Sequence, residues 1–318
     1  MKKIKVEPAL IDSLKKAQSL LAKELTGLNS LQRIIDSINS ESNLTFGPEF
    51  ADILRSAATS LEKHDLNTSH GLMTLAKRMR PEGPYILHKL EKYQSIRKVL
   101  SDGEFRIGNL NFEFGGSATY ALLSAFATGK YEHNEAELVK KSIEDGEVVL
   151  ELGSGIGFMG VVANSHVGCT QYVAYEANPK LIQVINNNMK RNNVHFEIRN
   201  KLLFDGKGIH PFYVTESFWA SSLIKPKHDN FVEYSVISDD KHEVMKELKP
   251  TMLIIDIEGG EYALFNDLDL SSVNKIVLEV HKRVLSNLEL STMYRNILNA
   301  GFVWDFATSS GNVVYFHR

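Results

Sequence analysis

The chain of 318 residues has a single cysteine, Cys169, and this scarcity excludes two kinds of site. No disulfide can form within the chain, and no metal site can be built from several cysteines. Proteins that work in a reducing compartment are typically this poor in cysteine. The sequence therefore predicts a cytoplasmic location.

The chain also has no large excess of positive or negative charge, and it has no long hydrophobic run. The 36 Lys and Arg residues are balanced by 39 Asp and Glu residues, which gives a formal net charge of −3. Nothing in this balance resembles the basic footprint of a nucleic-acid-binding protein, and no nucleic-acid partner is expected. No apolar run approaches the roughly 20 residues of a membrane-spanning helix, so no transmembrane segment is predicted.

The first 104 residues predict an α-helical module. Apolar side chains recur there at helical spacing, and short polar connections separate the segments. The predicted helical segments cover residues 10–25, 31–38, 50–61, 72–79 and 86–100. Such a module is expected to pack or to join copies of the chain, so a homo-oligomer formed through these helices is one possible assembly.

Residues 105–318 predict one domain in which strands and helices alternate, as in a parallel sheet covered on both faces. The predicted strands cover residues 148–152, 171–175, 195–199, 251–257 and 273–280. The predicted helices cover residues 157–163, 179–192, 261–266 and 291–300. An insertion after the third strand predicts an extra hairpin around an aromatic and serine-containing loop at 218–222. The chain closes with an antiparallel hairpin over 302–316.

A glycine-rich loop follows the first predicted strand of this sheet. Gly153, Gly155 and Gly157 alternate where the strand turns into a helix. Glycine lets a ligand lie against bare backbone at such a turn. With Gly160 the loop satisfies the G-x-G-x-x-G pattern of dinucleotide binders, a pattern that is weak by itself. The loop therefore predicts a nucleoside cofactor without identifying it.

Two features favour S-adenosyl-L-methionine over a dinucleotide. Glu151 ends the strand before the glycine loop, and its carboxylate would repel a pyrophosphate while suiting an ammonium and a sulfonium. The C-terminal antiparallel hairpin also departs from a plain dehydrogenase sheet. The predicted fold is α/β, a class I methyltransferase-like (Rossmann-type) sheet of seven strands with a C-terminal antiparallel hairpin, preceded by the α-helical module.

Four further residues are candidates for cofactor binding. Glu176 closes the second predicted strand, where a carboxylate accepts hydrogen bonds from both ribose hydroxyls. Asn178 lies in the turn that follows it. Asn200 ends the third strand and is a candidate contact for adenine. Glu135 precedes the sheet and is a candidate for contacting the cofactor or the acceptor.

A second group of ionisable residues ends the fourth and fifth predicted strands. Asp256 and Glu258 follow one apolar strand, and Glu279 and His281 end the next. Ligands of doubly wound sheets bind at the carboxyl ends of the strands, so these side chains are expected to converge opposite the glycine loop. Asp256, His281 and Glu258 are therefore the predicted catalytic residues.

The residue types allow two chemistries for methyl transfer to a hydroxyl group. His281 is a candidate general base, oriented by Asp256 or Glu258. Alternatively, Asp256, His281 and a further carboxylate would hold a divalent cation that lowers the pKa of the hydroxyl. The sequence leaves both open.

Several of these segments together resemble the FkbM-type methyltransferases. The resemblance covers roughly residues 130–285 and is carried by five segments, at residues 131–135, 150–158, 174–179, 220–223 and 255–261. It implies S-adenosylmethionine as the methyl donor and O-methylation of sugars or natural products. Glu151, Gly153, Gly155 and Glu176 fall on the cofactor motifs of that family. Asp256, Glu258 and Glu261 fall on its later motif.

The leading hypothesis is a methyltransferase that acts on a hydroxyl of a saccharide or a related small molecule. An N-methyltransferase acting on a peptide or an amino sugar is the second hypothesis within the same fold. An NAD-dependent oxidoreductase and a non-catalytic binding module are two further hypotheses. Binding of S-adenosylhomocysteine rather than NAD would separate the methyltransferases from the oxidoreductase.

Overall fold

The computed structural model describes residues 48–116, 118–215, 223, 225–226 and 230–318. The helices predicted over 10–38 and the aromatic loop at 218–222 lie outside the described residues. The chain forms two compact units, one containing residues 119–131 and the described residues before 103, the other containing residues 103–118 and 132–318. The boundary at residue 104 stays a prediction.

The first unit is helical in its described part. Its helices are α1 (Pro48–Leu61), α2 (Leu66–Met79), α3 (Pro84–Asp102) and α4 (Tyr120–Ala127). The carboxylate of Asp65 caps α2 by accepting a hydrogen bond from the backbone N–H of Thr68 at 3.0 Å. Leu54, Leu72 and Tyr93, one from each of the first three helices, are fully buried in a shared core. The helical periodicity of 50–61, 72–79 and 86–100 is thus confirmed.

The second unit contains the sheets. In chain order its elements are β1 (Glu104–Ile107), β2 (Leu110–Glu113), α5 (His133–Ser142), β3 (Val148–Leu152), α6 (Phe158–His166), β4 (Gln171–Tyr175), α7 (Ile182–Arg191), β5 (Glu197–Arg199), β6 (Leu202–Phe204), β7 (Gly208–Thr215), β8 (Phe231–Asp240), α8 (Lys241–Leu248), β9 (Met252–Ile255), α9 (Glu261–Phe265), β10 (Lys275–Glu279), α10 (Asn287–Asn299), β11 (Val303–Trp304) and β12 (Val313–His317).

Seven of these strands form one sheet in the order β11-β12-β10-β9-β3-β4-β5. Strands β3, β4, β5, β9 and β10 are parallel, whereas β12 is antiparallel to both β10 and β11. This is the predicted α/β class I methyltransferase fold with its C-terminal antiparallel hairpin. The strands predicted at 148–152 and 171–175 are found with the same bounds.

The sheet is buried on both faces because helices cover it. Leu150, Val173, Leu253 and Ile276 on its parallel strands are each at most 1% exposed. This explains why these strands read as continuous apolar runs rather than as alternating ones. None of the described helices is both long enough and apolar enough to cross a membrane.

The insertion forms a separate three-stranded sheet in the order β6-β8-β7. The predicted hairpin is present, since β7 and β8 pair antiparallel. The sequence missed β6, which has only three residues, and it missed α8. The signal for α8 was available, because Asp240 caps this helix by accepting from the N–H of Glu243 at 2.9 Å.

The strand order reverses between β3 and β9, and this positions the candidate site. The chain runs outward from β3 through β4 to β5 and then returns to β9 on the other side of β3. In the register, Leu152 lies opposite Ile255, and Ile255 lies opposite Leu278. The next residues along these strands, Gly153, Asp256 and Glu279, are therefore level with one another at the crevice where open α/β sheets bind ligands.

Candidate active site

The glycine loop after β3 depends on glycine for two reasons. Gly153, Gly155 and Gly157 have φ values of 83°, 55° and 78°, which side-chain-bearing residues rarely adopt. A Cβ atom at Gly153 would also lie 1.7 Å from the carbonyl oxygen of Asp256. The loop and the end of β9 are thus in direct backbone contact. No other residue fits at position 153 without moving one of them.

Glu151 lies beneath the loop and is only 2% exposed. Its Oε2 accepts hydrogen bonds from the hydroxyls of Tyr172 at 3.0 Å and Ser154 at 3.2 Å. Burial raises the pKa of Glu151 to about 7, although these two hydrogen bonds act in the opposite direction. A cation bound nearby would therefore favour the ionised form of Glu151 near neutral pH.

Glu176 fastens the glycine loop to the end of β4. Its Oε2 accepts from the N–H of Gly155 at 2.7 Å, and its Oε1 accepts from the N–H of Asn178 at 2.7 Å. Burial raises its pKa to about 7, against the effect of these backbone donors. The sequence predicted a ribose-binding carboxylate here but not its contact with the loop. A ribose would have to use the remaining lone pairs of the same two oxygens.

Asn178 and Asn200 stabilise the turn that follows β4. Asn178 is 1% exposed, and its Oδ1 accepts from the N–H of Lys180 at 3.1 Å. The Nδ2 of Asn200 donates to the carbonyl oxygens of Glu176 at 2.8 Å and Ala177 at 3.1 Å. These bonds hold the backbone of the turn in place. The cofactor contacts predicted for both asparagines stay predictions.

A pocket opens beside the glycine loop at the ends of β3, β9 and β10. Its lining combines an apolar part with five carboxylates and comprises Glu132, Glu135, Glu151, Leu152, Gly153, Met159, Ile254, Ile255, Asp256, Val277 and Glu279. No lysine or arginine is among these lining residues. Burial raises the pKa of Glu135, the residue predicted to contact the cofactor or acceptor. The pocket is therefore suited to a ligand that carries positive charge.

His281 lies between carboxylates on both sides of its ring. Its Nδ1 is 2.5 Å from Oε1 of Glu261, and its Nε2 is 3.1 Å from Oε2 of Glu258 and 3.6 Å from Oδ1 of Asp256. Burial acts to lower the pKa of His281, but the hydrogen bonds to Glu258 and Glu261 outweigh it and raise the pKa to about 11. His281 is thus an imidazolium at neutral pH, with both nitrogens donating.

Asp256 and Glu279 complete this cluster at the pocket wall. Burial and the neighbouring charges of Glu279 and Glu132 raise the pKa of Asp256 well above its usual value. Burial and the charge of Glu135 likewise raise the pKa of Glu279. Oδ1 of Asp256 is buried and has no hydrogen-bond partner among the described residues. One ligand atom each from Asp256, Glu279 and His281 lie within 4.8 Å of one another, close enough to share a cation.

The convergence of Asp256, Glu258 and His281 was predicted, but its cause was not. Strand β9 ends at Ile255, and Glu258, three residues further on, has a φ of +51°. The turn after β9 brings both carboxylates to the ring. The resemblance placed Glu261 on the family's later motif but did not predict its contact: Glu261 is fully buried, and its Oε1 is hydrogen-bonded to Nδ1 of His281. Its position at the start of α9, directly after two glycines, was the available signal.

Comparison with known proteins finds that methyltransferases are similar to this chain. Residues 125–249 match the family model of the TRM5/TYW2 methyltransferase domain. The ribosomal protein L11 methyltransferase of Thermosipho africanus (strain TCF52B) is 33% identical over 88 residues, which are 26% of this chain and 34% of that protein. The chain therefore spans about a third of the length of this curated relative.

Two solved structures illustrate the structural likeness. Trm5b from Pyrococcus abyssi has a TM-score of 0.38 and 14% identity, over 68% of this chain and 56% of that chain. Sp1610 from Streptococcus pneumoniae, a putative tRNA (m1A22) methyltransferase, has a TM-score of 0.34 and 12% identity, over 57% and 68% of the two chains.

The strand order and the family match together identify an S-adenosylmethionine-dependent methyltransferase. None of these relatives is an FkbM protein, so the match supports a methyltransferase without supporting that particular family. The prediction that nucleic acid is not a partner is wrong, because the match to the TRM5/TYW2 methyltransferase domain points to nucleic-acid substrates. Net charge misled because it sums over the whole chain and does not describe one surface.

Proposed function

We propose that the chain is an S-adenosylmethionine-dependent methyltransferase that methylates a hydroxyl group on a saccharide or a related small molecule. The observation that carries the choice of a protic acceptor is the buried Oδ1 of Asp256. This oxygen has no hydrogen-bond partner among the described residues and lies at the end of β9, level with the glycine loop. A hydroxyl donor from the acceptor would satisfy it.

The pocket suits the proposed cofactor in charge. Gly153 and Gly155 leave bare backbone where the cofactor would lie, and Glu176 offers the ribose a carboxylate. The lining carboxylates complement an ammonium and a sulfonium, whereas they would repel a pyrophosphate. When bound, S-adenosylmethionine supplies an electrophilic methyl group. We also propose a cytoplasmic location, which is what the single cysteine predicts.

Asp256 is the proposed acceptor of the hydroxyl proton. Burial raises the pKa of Asp256, and a carboxylate whose pKa is raised is a stronger base than an ordinary aspartate. His281, predicted from the sequence as the base, already carries its proton at neutral pH. We therefore assign it the role of a fixed positive charge that stabilises Asp256 and Glu258. Glu261 keeps the ring in place through Nδ1.

A divalent cation on Asp256, Glu279 and His281 is the competing chemistry. A buried carboxylate behind a histidine, as Glu261 lies behind His281, also occurs at metal sites. His281 would then have to release its Nε2 proton to bind the ion. Chelation separates the two mechanisms: methyl transfer that survives exhaustive chelation excludes the cation, and loss of transfer that added Mg²⁺ restores would establish it.

RNA is the second candidate acceptor, because the matched domain model is that of TRM5/TYW2. An amino group on a protein is a third, in view of the L11 methyltransferase relative. Both would use the same cofactor pocket. An amino nitrogen would not need the proton-accepting step proposed for Asp256 in the same form, since it attacks through its lone pair and loses its proton after the transfer.

The test supplies methyl-labelled S-adenosylmethionine with three acceptor sets: saccharides, proteins and total RNA. We expect label on a saccharide hydroxyl. We also expect Asp256→Asn to remove at least 90% of the transfer while the exposed change Glu247→Gln, on α8, leaves it intact. Label found only in RNA or only in protein would refute the saccharide proposal and support that acceptor instead.

A further inference from the structure

Four residues other than glycine have a positive φ in the described part of the chain: Glu132, Asn193, Lys249 and Glu258. Asn193 and Lys249 lie at the C-terminal ends of α7 and α8, where a left-handed residue is an ordinary way to end a helix. Glu132, with a φ of 43°, instead precedes the first residue of α5. A left-handed glutamate at a helix start is conformationally costly, and such strain concentrates at functional sites.

Glu132 also lines the pocket beside the glycine loop. Its negative charge acts on Asp256 and on Tyr172, and the hydroxyl of Tyr172 bonds to Glu151 at 3.0 Å. Glu132 is therefore in electrostatic range of both walls of the pocket, the one formed by β3 and the one formed by β9. The strained backbone holds this carboxylate among four others of the same charge.

A cationic group bound in this pocket would be attracted by all five of its carboxylates. Among the groups of the proposed cofactor, the ribose is already accounted for by Glu176 at the end of β4. The ammonium and the sulfonium remain as the cationic groups, and no lysine or arginine lines the pocket.

We infer that Glu132 is a cofactor-binding residue that receives the ammonium group of S-adenosylmethionine, and that its left-handed backbone is retained for this contact. The inference rests on the proposed function. It adds a residue that neither the glycine-loop motif nor the acidic residue of β4 predicts, from a segment that precedes the sheet.

The test compares two ligands on three proteins by calorimetry. S-adenosylhomocysteine carries the ammonium, whereas 5′-methylthioadenosine has the adenosine without the amino-acid part. We expect Glu132→Gln to weaken S-adenosylhomocysteine binding by about tenfold or more, and to change 5′-methylthioadenosine binding less than about twofold. The control Glu137→Gln removes a carboxylate on α5 that pairs with Lys140 and does not line the pocket. It should change the affinity for neither ligand.

A second pair of variants tests the backbone. Alanine at position 132 would still be strained by the positive φ, whereas glycine adopts this φ freely. The Glu132→Gly variant should therefore melt about 2 °C higher than Glu132→Ala, while both lose the same affinity for S-adenosylhomocysteine. Lys249→Gly against Lys249→Ala should show the same stability order with no loss of affinity. Wild-type protein that fails to bind S-adenosylhomocysteine would refute the proposed function itself. Normal binding by both wild type and Glu132→Gln would overturn the inference alone.

Discussion

Acidification should affect the stability of the ligand-free protein and its affinity for the cofactor in opposite directions. Burial raises the pKa of both Glu151 and Glu176 to about 7 in the folded state, from an ordinary value of 4.5. Between these pH values the folded protein binds more protons than the unfolded chain. Stability therefore falls as the pH rises through this window and is recovered as the pH falls.

The size of the effect follows from the two pKa values. Between pH 8 and pH 6, a carboxyl with a folded-state pKa near 7 contributes about 1.4 kcal/mol, so the pair contributes about 3 kcal/mol of added stability at pH 6. His281, whose pKa is raised to about 11, changes stability in the same direction over this range. The ionised fraction of Glu176 meanwhile falls about tenfold, and affinity for a ligand that needs the carboxylate should fall equally.

Two measurements check this prediction. Thermal unfolding of the ligand-free protein should shift to higher temperature at pH 6, while calorimetry with adenosine and with S-adenosylhomocysteine should show weaker binding. Glu176→Gln should bind adenosine more weakly at pH 8 and lose most of the pH dependence. The reasoning is refuted if the ligand-free protein is less stable at pH 6 than at pH 8, or if adenosine binds equally well at both.

Three further predictions concern the site. Glu261→Gln should lower methyl transfer by about 10- to 100-fold, because the charged hydrogen bond to His281 is lost, with cofactor affinity within threefold of wild type; an unchanged rate would contradict the proposed role. Gly153→Ala should lower the free energy of unfolding by about 3 kcal/mol or more, measured by urea denaturation, since its Cβ would meet the carbonyl of Asp256. Gly301→Ala, with a positive φ but open space, should cost only about 1 kcal/mol, and an equal loss in both would refute the contact argument. Chelation should leave methyl transfer unchanged, because the account uses Asp256 rather than a cation as the reactive group.

The sheet was predictable because burial on both faces leaves a simple signature in sequence. Strands such as β3 and β4 are short apolar runs bounded by turn residues, and a glutamate lies at or near the end of each. The glycine loop was equally clear, since its positions require φ values that only glycine adopts readily. By contrast β6 is too short to show any period, and the cap of α8 was not recognised.

The candidate site was predictable only where a residue lies at, or within a few residues after, the end of a strand. Asp256, Glu258, Glu279 and His281 were found in this way. The contact between Glu261 and His281 was not predicted, because it depends on the fold of the turn after β9, which no periodicity encodes.

Other features of the site depend on contacts between distant segments. The bond from Gly155 to Glu176 joins residues 21 positions apart in the sequence. Glu132 comes from before the sheet yet lines the same pocket. The acceptor was the least predictable feature, since whole-chain charge wrongly excluded nucleic acid and no motif specifies what faces Asp256.

Calorimetric titration with S-adenosylhomocysteine and, separately, with NAD tests the central claim most directly. The account predicts one S-adenosylhomocysteine site per chain with a Kd of about 100 μM or tighter, and no binding of NAD in the same range. Glu151→Gln should weaken the first titration, because the carboxylate under the loop favours a cationic ligand. Binding of NAD without binding of S-adenosylhomocysteine would contradict the account.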